Sequence, residues 1–433
     1  MSTKRRKITS LKLLLLFSVL SVLIAIIWLP SKPYTFAKNI LPLLFPAGSV
    51  HFSDMELKAL QGTVTFIDFH VKQNPAFGDG ILLESPRLEV RFKPFQTVSD
   101  RITLEYVHLD RPSLMVLAGP DGTLNVNLPA SQGYAKFLHI KELRAPELQV
   151  IWIDQTAEDT YSELIATNIS LQAFNIQLTG NKPANNLIDE LIVEAPQMLF
   201  SRTGRTIRKR HDVHQLQIRK LKVRARLFTY EEHNFQPEML DIGISNLHLQ
   251  AENLILGEPL ATVVHSSPVE LTGQIVQGGS YAPLGIIGTI GPLNGRQTRV
   301  TLVSHTMGLQ LKTLQPLFKG DHRKHLITGA SLGGSVFDLN LSFKGTLAEL
   351  KCRIDTESAR GTRTDSTFVL RDADYQNRVF WSNLAYFLSQ PKSAGIPASA
   401  EGIPVDIKVK AWHANIHQRA EERFERSRKE RPR

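Results

Sequence analysis

Two kinds of residue grouping in this chain have the types and spacing for chemistry. Gly329-Ala330-Ser331-Leu332-Gly333 fits G-x-S-x-G, the turn that presents a nucleophilic serine between a strand and a helix in α/β-hydrolases. That use requires a helix after the serine. Here the following residues, SVFDLNLSF, alternate like a strand, so a β-turn is the favoured reading and a serine hydrolase at Ser331 the remote one. His413 and His417 stand four apart, a spacing that puts two imidazoles on one helix face, as metal ligands often are. No H-E-x-x-H pattern and no nearby cysteine completes a set, so they read as a surface pair. His211, His214, His322 and His325 read as loop residues among basic neighbours. Neither a phosphate-binding loop nor a Gly-rich dinucleotide fingerprint is present. The expectation is a non-enzyme with no catalytic residue, no metal and no cofactor.

Charge is the other candidate for chemistry. The formal net charge is +10, from 51 Lys and Arg against 41 Asp and Glu. The densest basic region holds Arg202, Arg205, Arg208, Lys209, Arg210, Arg219, Lys220, Lys222, Arg224 and Arg226. Its second half alternates with Leu216, Ile218, Leu221 and Val223, so one strand face is cationic. Such a face attracts anionic headgroups or an acidic partner, or is simply a solvated surface that discourages edge aggregation. Aromatic residues are too sparse there for a nucleic-acid stacking platform, so no nucleic-acid partner is expected. Cys352 is the sole cysteine, which excludes an intrachain disulfide and reads as a small buried apolar residue.

The elements that position these residues are mostly strands. Period-2 alternation marks Leu88, Val90 and Phe92, then Ile102, Leu104 and Tyr106, then Ile169, Leu171 and Ala173. Phe337, Leu339, Leu341 and Phe343 give another strand, and Val405, Ile407 and Val409 a last one. Turns are signalled at Asp121-Gly122, Gly180-Asn181, Gly278-Gly279 and Gly333-Gly334. There is a weak internal repeat: FLHIKELRAPELQVIWIDQT followed by NISLQAFNIQL is echoed by HQLQIRKLKVRARLFTYEEH followed by DIGISNLHLQAENL. Both end on N-[IL]-x-L. Helical spacing is scarce. Val379, Phe380, Leu384, Phe387 and Leu388 fit one helix face before Pro391, and a short helix is expected around Leu311 to Leu317.

The N-terminus is different in kind. Leu13 to Leu29 carries no charge and follows Lys4, Arg5, Arg6, Lys7 and Lys12. About 17 to 25 apolar residues span a bilayer as a helix, and positive flanks stay cytoplasmic. The rival is a cleaved signal peptide, for which Thr35-Phe36-Ala37 is a poor processing site. The expected division is 1–12 cytoplasmic basic segment, 13–29 transmembrane anchor, 30–370 β-rich body outside the cytoplasm, and 371–433 an amphipathic helix, a final strand and a charged tail.

VHLDRPSLMVLAGPDGTLNVNLP resembles the signature of AsmA-like bacterial envelope proteins, through Leu109, Arg111, Pro112, Asp121, Gly122 and Asn125. GIIGTIGPLNGRQTRVTLVSHTMGLQLKTLQPLF and TGASLGGSVFDLNLSFKGTLAEL resemble the family's C-terminal part. The likeness spans roughly residues 1 to 360 and rests on turn and alternation residues. The basic tail and the segment around Trp381 depart from it. It implies an inner-membrane protein with a periplasmic β-body: an elongated, curved, trough-like sheet with a few short helices, guiding phospholipid towards the outer membrane. Leu88, Val90, Phe92, Phe337, Leu339, Leu341 and Phe343 are then candidate groove residues. Pro112, Asp121, Gly122 and Asn125 are structural ones. The membrane, phospholipid and envelope proteins are the expected partners. The alternative is an envelope scaffold with a closed core and no lipid.

Overall fold

A computed structural model of the chain describes residues 49–58, 61–92, 101–119, 124–125, 137–157, 160–179, 186–203, 216–233, 240–256, 266–277, 280–293, 297–310, 336–358 and 363–371. The proposed anchor, Ser331, Asp121, Gly122, the Leu311–Leu317 and Val379–Leu388 segments, and all the paired histidines lie outside these residues.

The alternation is realised as strands joined in one sheet. In chain order they are β1 Val50–His51, β2 Asp54–Lys58, β3 Thr63–Lys72, β4 Ile81–Phe92, β5 Arg101–Asp110, β6 Ser113–Ala118, β7 Phe137–Ala157, β8 Thr160–Thr179 and β9 Asn186–Thr203. There follow β10 Leu216–Glu232, β11 Leu240–Leu256, β12 Ser267–Gln277, β13 Ser280–Ile290, β14 Arg299–Gln310, β15 Val336–Thr346, β16 Glu349–Ser358 and β17 Arg363–Arg371. A single turn of 3₁₀ helix, Pro75–Phe77, is the one described helical element.

Most neighbours in sequence are neighbours in the sheet. Most pairs are antiparallel, so hairpin follows hairpin from β7 to β9 and from β10 to β17. Two seams are parallel. β5 and β6 both pair with β7 in one register, Arg101 with Phe137 and Ser113 with Gln149, so they act as one strand interrupted at Arg111-Pro112. β9 pairs with β10, from Asn186 with Leu216 to Arg202 with Glu232. A parallel partner cannot be reached by a tight turn, and each seam follows a long connection. The repeat seen in the sequence is now explained: its two copies are the hairpins β7–β8 and β10–β11, each entered from a parallel seam.

The repeated asparagines do a specific job. Asn168 and Asn175 on β8 and Asn246 and Asn253 on β11 all have positive φ, from 50° to 54°. Asparagine tolerates this left-handed conformation better than other residues with a Cβ. Asn246 sits at the register shift between Ser245 and His248, a β-bulge. These sites align across strands. Asp68 faces Pro86, and next come Arg111 (φ 43°) and Glu147 (φ 52°), followed by Asn168 and Asn246. A second line carries Asn175 and Asn253. At each line the apolar phase slips from two residues to three, as from Ile218 to Leu221 and from Ala225 to Phe228. The strand is re-aimed there, and the same face is apolar on both sides of the slip. Backbone groups at the lines are met by side chains. Ser85 Oγ lies 2.8 Å from the Arg87 carbonyl and 2.7 Å from that of Asp110, and Gly308 N–H donates to Asp338 at 2.8 Å.

Candidate functional site

Direct partners in a sheet point their side chains to the same side. Following the pairings from β2 to β17 gives one unbroken row: Leu57, Val64, Val90, Val107, Leu143, Ala173, Leu191, Leu221, Ala251, Val269, Gly288, Leu302, Phe343, Cys352 and Phe368. No member is polar. The next row, one residue along and on the opposite face, runs Thr65, Glu89, His108, Arg144, Gln172, Ile192, Lys222, Gln250, Glu270, Ile287, Val303, Ser342, Arg353 and Thr367. It is polar apart from three aliphatics. Along this pair of rows the sheet has an apolar inner face and a largely polar outer face.

All seven groove candidates lie on the inner face, at two ends of the sheet. Leu88, Val90 and Phe92 are on β4, and Phe337, Leu339, Leu341 and Phe343 on β15. Their surroundings differ. Leu88 and Val90 belong to a filled cluster with Val64, Phe66, Phe69 and Leu104. Phe337 and Leu339 are also buried, while Phe92, Leu341 and Phe343 are half-buried. A more accessible stretch lies outside the groove candidates: Leu221, Val223, Leu249, Leu271, Ile275, Ile286 and Leu302, all half-buried on β10 to β14. Bulge lines interrupt the alternation of these strands, so only its Leu216 to Val223 part shows in a period-2 reading.

Gly288 is the one gap in the apolar row, and its backbone requires it. With φ at 153°, a Cβ there would sit 2.0 Å from the Thr301 carbonyl oxygen.

The signature residues serve the frame. Asn125 is fully buried. Its Nδ2 donates to the Met115 carbonyl at 2.9 Å and to Gln73 Oε1 at 3.1 Å, and its Oδ1 accepts from Leu117 N–H at 2.9 Å. Its backbone N–H donates to the Leu117 carbonyl, and its carbonyl accepts from Asn74 N–H. One residue thus completes the free edge of β6 as a strand would and ties it to the turn after β3. Beside it, Phe77, Met115, Leu117, Ile151 and Ile153 form a second cluster on the outer face. Pro112 is buried and its carbonyl accepts from Gln149 N–H at 2.9 Å, which carries the β7 pairing across the break between β5 and β6.

The cationic strand face is tied up at a seam. Arg219 pairs with Asp189 at 2.9 Å, Lys222 with Glu190 at 2.7 Å and Arg224 with Glu194 at 3.0 Å, all joining β10 to β9. The other parallel seam has Lys141 with Glu105 at 2.7 Å. These contacts staple parallel strands on the solvent side, which favours the solvated-surface reading of this stretch. Cys352 is buried on the inner face, and desolvation pushes its thiol up to about 12. Among the described residues no group of three His, Cys, Asp or Glu is placed to hold a metal ion, and no helix is long and apolar enough to cross a membrane.

Geometry alone defines a class: a long mixed β-sheet protein with a continuous apolar face and a frame of bulges and parallel seams. No family model, curated protein or solved structure matches the chain.

Proposed function

We propose that this protein is a membrane-anchored, non-catalytic carrier or guide for phospholipid in a bacterial envelope, of the AsmA-like type, with residues 13–29 as the inner-membrane anchor and the sheet in the periplasm. The observation that carries this reading is the uninterrupted apolar row, backed by a polar row, with half-buried members across β10 to β14. If the sheet curls about that face, acyl chains lie along the row and headgroups stay at its rim. Each CH₂ removed from water contributes about 0.8 kcal/mol. At roughly 4.8 Å per strand the row is about 65 Å long, roughly twice the hydrocarbon thickness of a bilayer. Its continuity matters more than any one residue, because an acyl chain sliding along it meets no charge.

The test is native mass spectrometry of the full chain, gently extracted, with lipid analysis of what it carries. Phospholipid at a reproducible stoichiometry is expected. Leu271→Glu and Ile286→Glu place carboxylates in the accessible stretch and should abolish that lipid while the far-ultraviolet dichroism stays that of a sheet. Folded variants that keep their lipid, or a wild-type chain free of lipid, would leave a protein-binding scaffold as the better account.

A further inference from the structure

The outer face of β13 to β17 gathers exposed aliphatics and cations at one end of the strands. Val303 stands directly opposite Ile287, and the two are 48 % and 60 % exposed in a row that is otherwise largely polar. Two residues along, Thr301 faces Lys344, Lys344 faces Lys351 and Lys351 faces Val369. Arg353 lies beside Ser342, while Arg299 and Arg371 stand at the end of the block. Both lysines, these three arginines and Val369 are exposed. Direct partners share a face, so Lys344 and Lys351 hold like charges side by side, an arrangement that destabilises a sheet. Among the described residues neither lysine has an ion pair. Glu349, opposite Arg371, is the one acid in the block. Glu270 beside Ile287, and Asp355 and Glu357 further along β16, lie around it.

We propose that this block docks on an anionic lipid surface, its cations taking lipid phosphates while Ile287, Val303 and Val369 enter the headgroup boundary. Two facing lysines cost the sheet and give it nothing, whereas a layer of negative headgroups favours each cation near it and relieves their repulsion. Long lysine stems let the charge reach phosphate while their carbons lie along apolar surface. Aliphatics exposed among cations suit the boundary of a bilayer. They suit nucleic acid poorly, since they offer its bases no stacking platform. From Ile287 to Val369 the block crosses four strand spacings, about 19 Å, so several headgroups meet it at once. It lies on the face opposite the apolar row. It therefore goes beyond the phospholipid-guide reading and does not need it: the row would take acyl chains, and this face would hold the sheet against a membrane.

The test holds the full chain in neutral-lipid nanodiscs and adds vesicles of phosphatidylcholine, with or without phosphatidylglycerol. Flotation should recover the chain with the phosphatidylglycerol vesicles and not with the neutral ones. The K344Q/K351Q double variant removes two surface charges and should bind those vesicles about thirtyfold more weakly. The I287S/V303S double variant should weaken binding by about tenfold or more, because its loss is apolar. Placement is read separately in a Cys352→Ala chain. A fluorophore on Val303→Cys should be quenched by spin-labelled lipid in the anionic vesicles, and one on Gln250→Cys, exposed in the same outer row on β11, should not. Equal flotation of the parent and K344Q/K351Q overturns the proposal, as does equal quenching at both sites. Full binding by I287S/V303S, with heparin displacing the parent from vesicles, makes the block a general polyanion site and overturns the lipid assignment too. None of these readouts measures lipid carried on the apolar row, so docking and the phospholipid-guide reading fail separately.

Discussion

The strands β3 to β7 and the strands β10 to β14 are built from the same alternation yet solve different problems. In the first region Val64 and Phe66 are 0 % exposed and Leu104 2 %, and a second cluster fills the outer face under Phe77. In the second, Ile218 and Leu247 are buried but Leu221, Leu249, Leu271, Ile275, Ile286 and Leu302 keep part of their surface, and Tyr281, Ile287, Val303 and Met307 are exposed on the outside. One region spends its apolar residues on rigidity, while the other leaves them available. The proposed carrier role would need both, because an open sheet has little core of its own and must be held in shape from elsewhere.

The contrast is most directly broken by cavity mutants. Phe66→Ala should cost about 3–5 kcal/mol in urea denaturation, whereas Leu271→Ala should cost no more than about 1.5 kcal/mol because its side chain already meets solvent. Equal losses would mean the central face is a closed core as well. Asn125→Ala should follow at about 2–4 kcal/mol, since it strands the Leu117 N–H and Met115 carbonyl away from water. A variant as stable as the parent would remove Asn125 as the clasp of the filled region.

Cys352 sharpens the comparison through pH. Its folded value of about 12 stands above the ordinary 9.0. Between those values the unfolded chain has lost the thiol proton and the folded chain has kept it, so stability falls as pH rises through that window. At pH 7 and below this group adds no pH dependence. From pH 9 to pH 10 the loss should be about 1 kcal/mol relative to a Cys352→Ala chain, measured by parallel urea melts. Identical slopes for the two chains would show that the inner face around Cys352 is wet. Smallest of all is Arg224→Ala. Its pair with Glu194 has both partners about half-exposed, so the expected cost is below about 1 kcal/mol and shrinks further in salt. A larger loss would give the β9–β10 seam a structural weight that its solvent exposure argues against.

Much of the frame was legible before any coordinates. The alternation of Leu88, Val90 and Phe92 and of Phe337 to Phe343 identified strands and put these residues on one apolar face, because a period of two encodes sidedness directly. The repeat was visible through N-[IL]-x-L, and its physical content is an asparagine that accepts a left-handed backbone at a bulge. Two things were not legible. Nothing in residues 186–203 and 216–232 says that these strands run parallel, since either direction satisfies the same alternation. Nor does residue type separate Val90, sealed in a cluster, from Phe343, half-buried in the same row. That difference depends on what else packs there, which is a property of the whole chain.

The bulge lines give the protein something like a reading frame. Losing one residue inside a strand turns every side chain beyond it inside out, unless the next line shortens its step of three to two. Two such losses on either side of a line cancel. Length changes should therefore survive in loops, or as compensating pairs bracketing Asn168 or Asn246, and nowhere else along a strand. A sheet of this kind can drift widely in sequence while the spacing of its asparagines and prolines stays fixed. Relatives are better sought by that punctuation than by the letters between it.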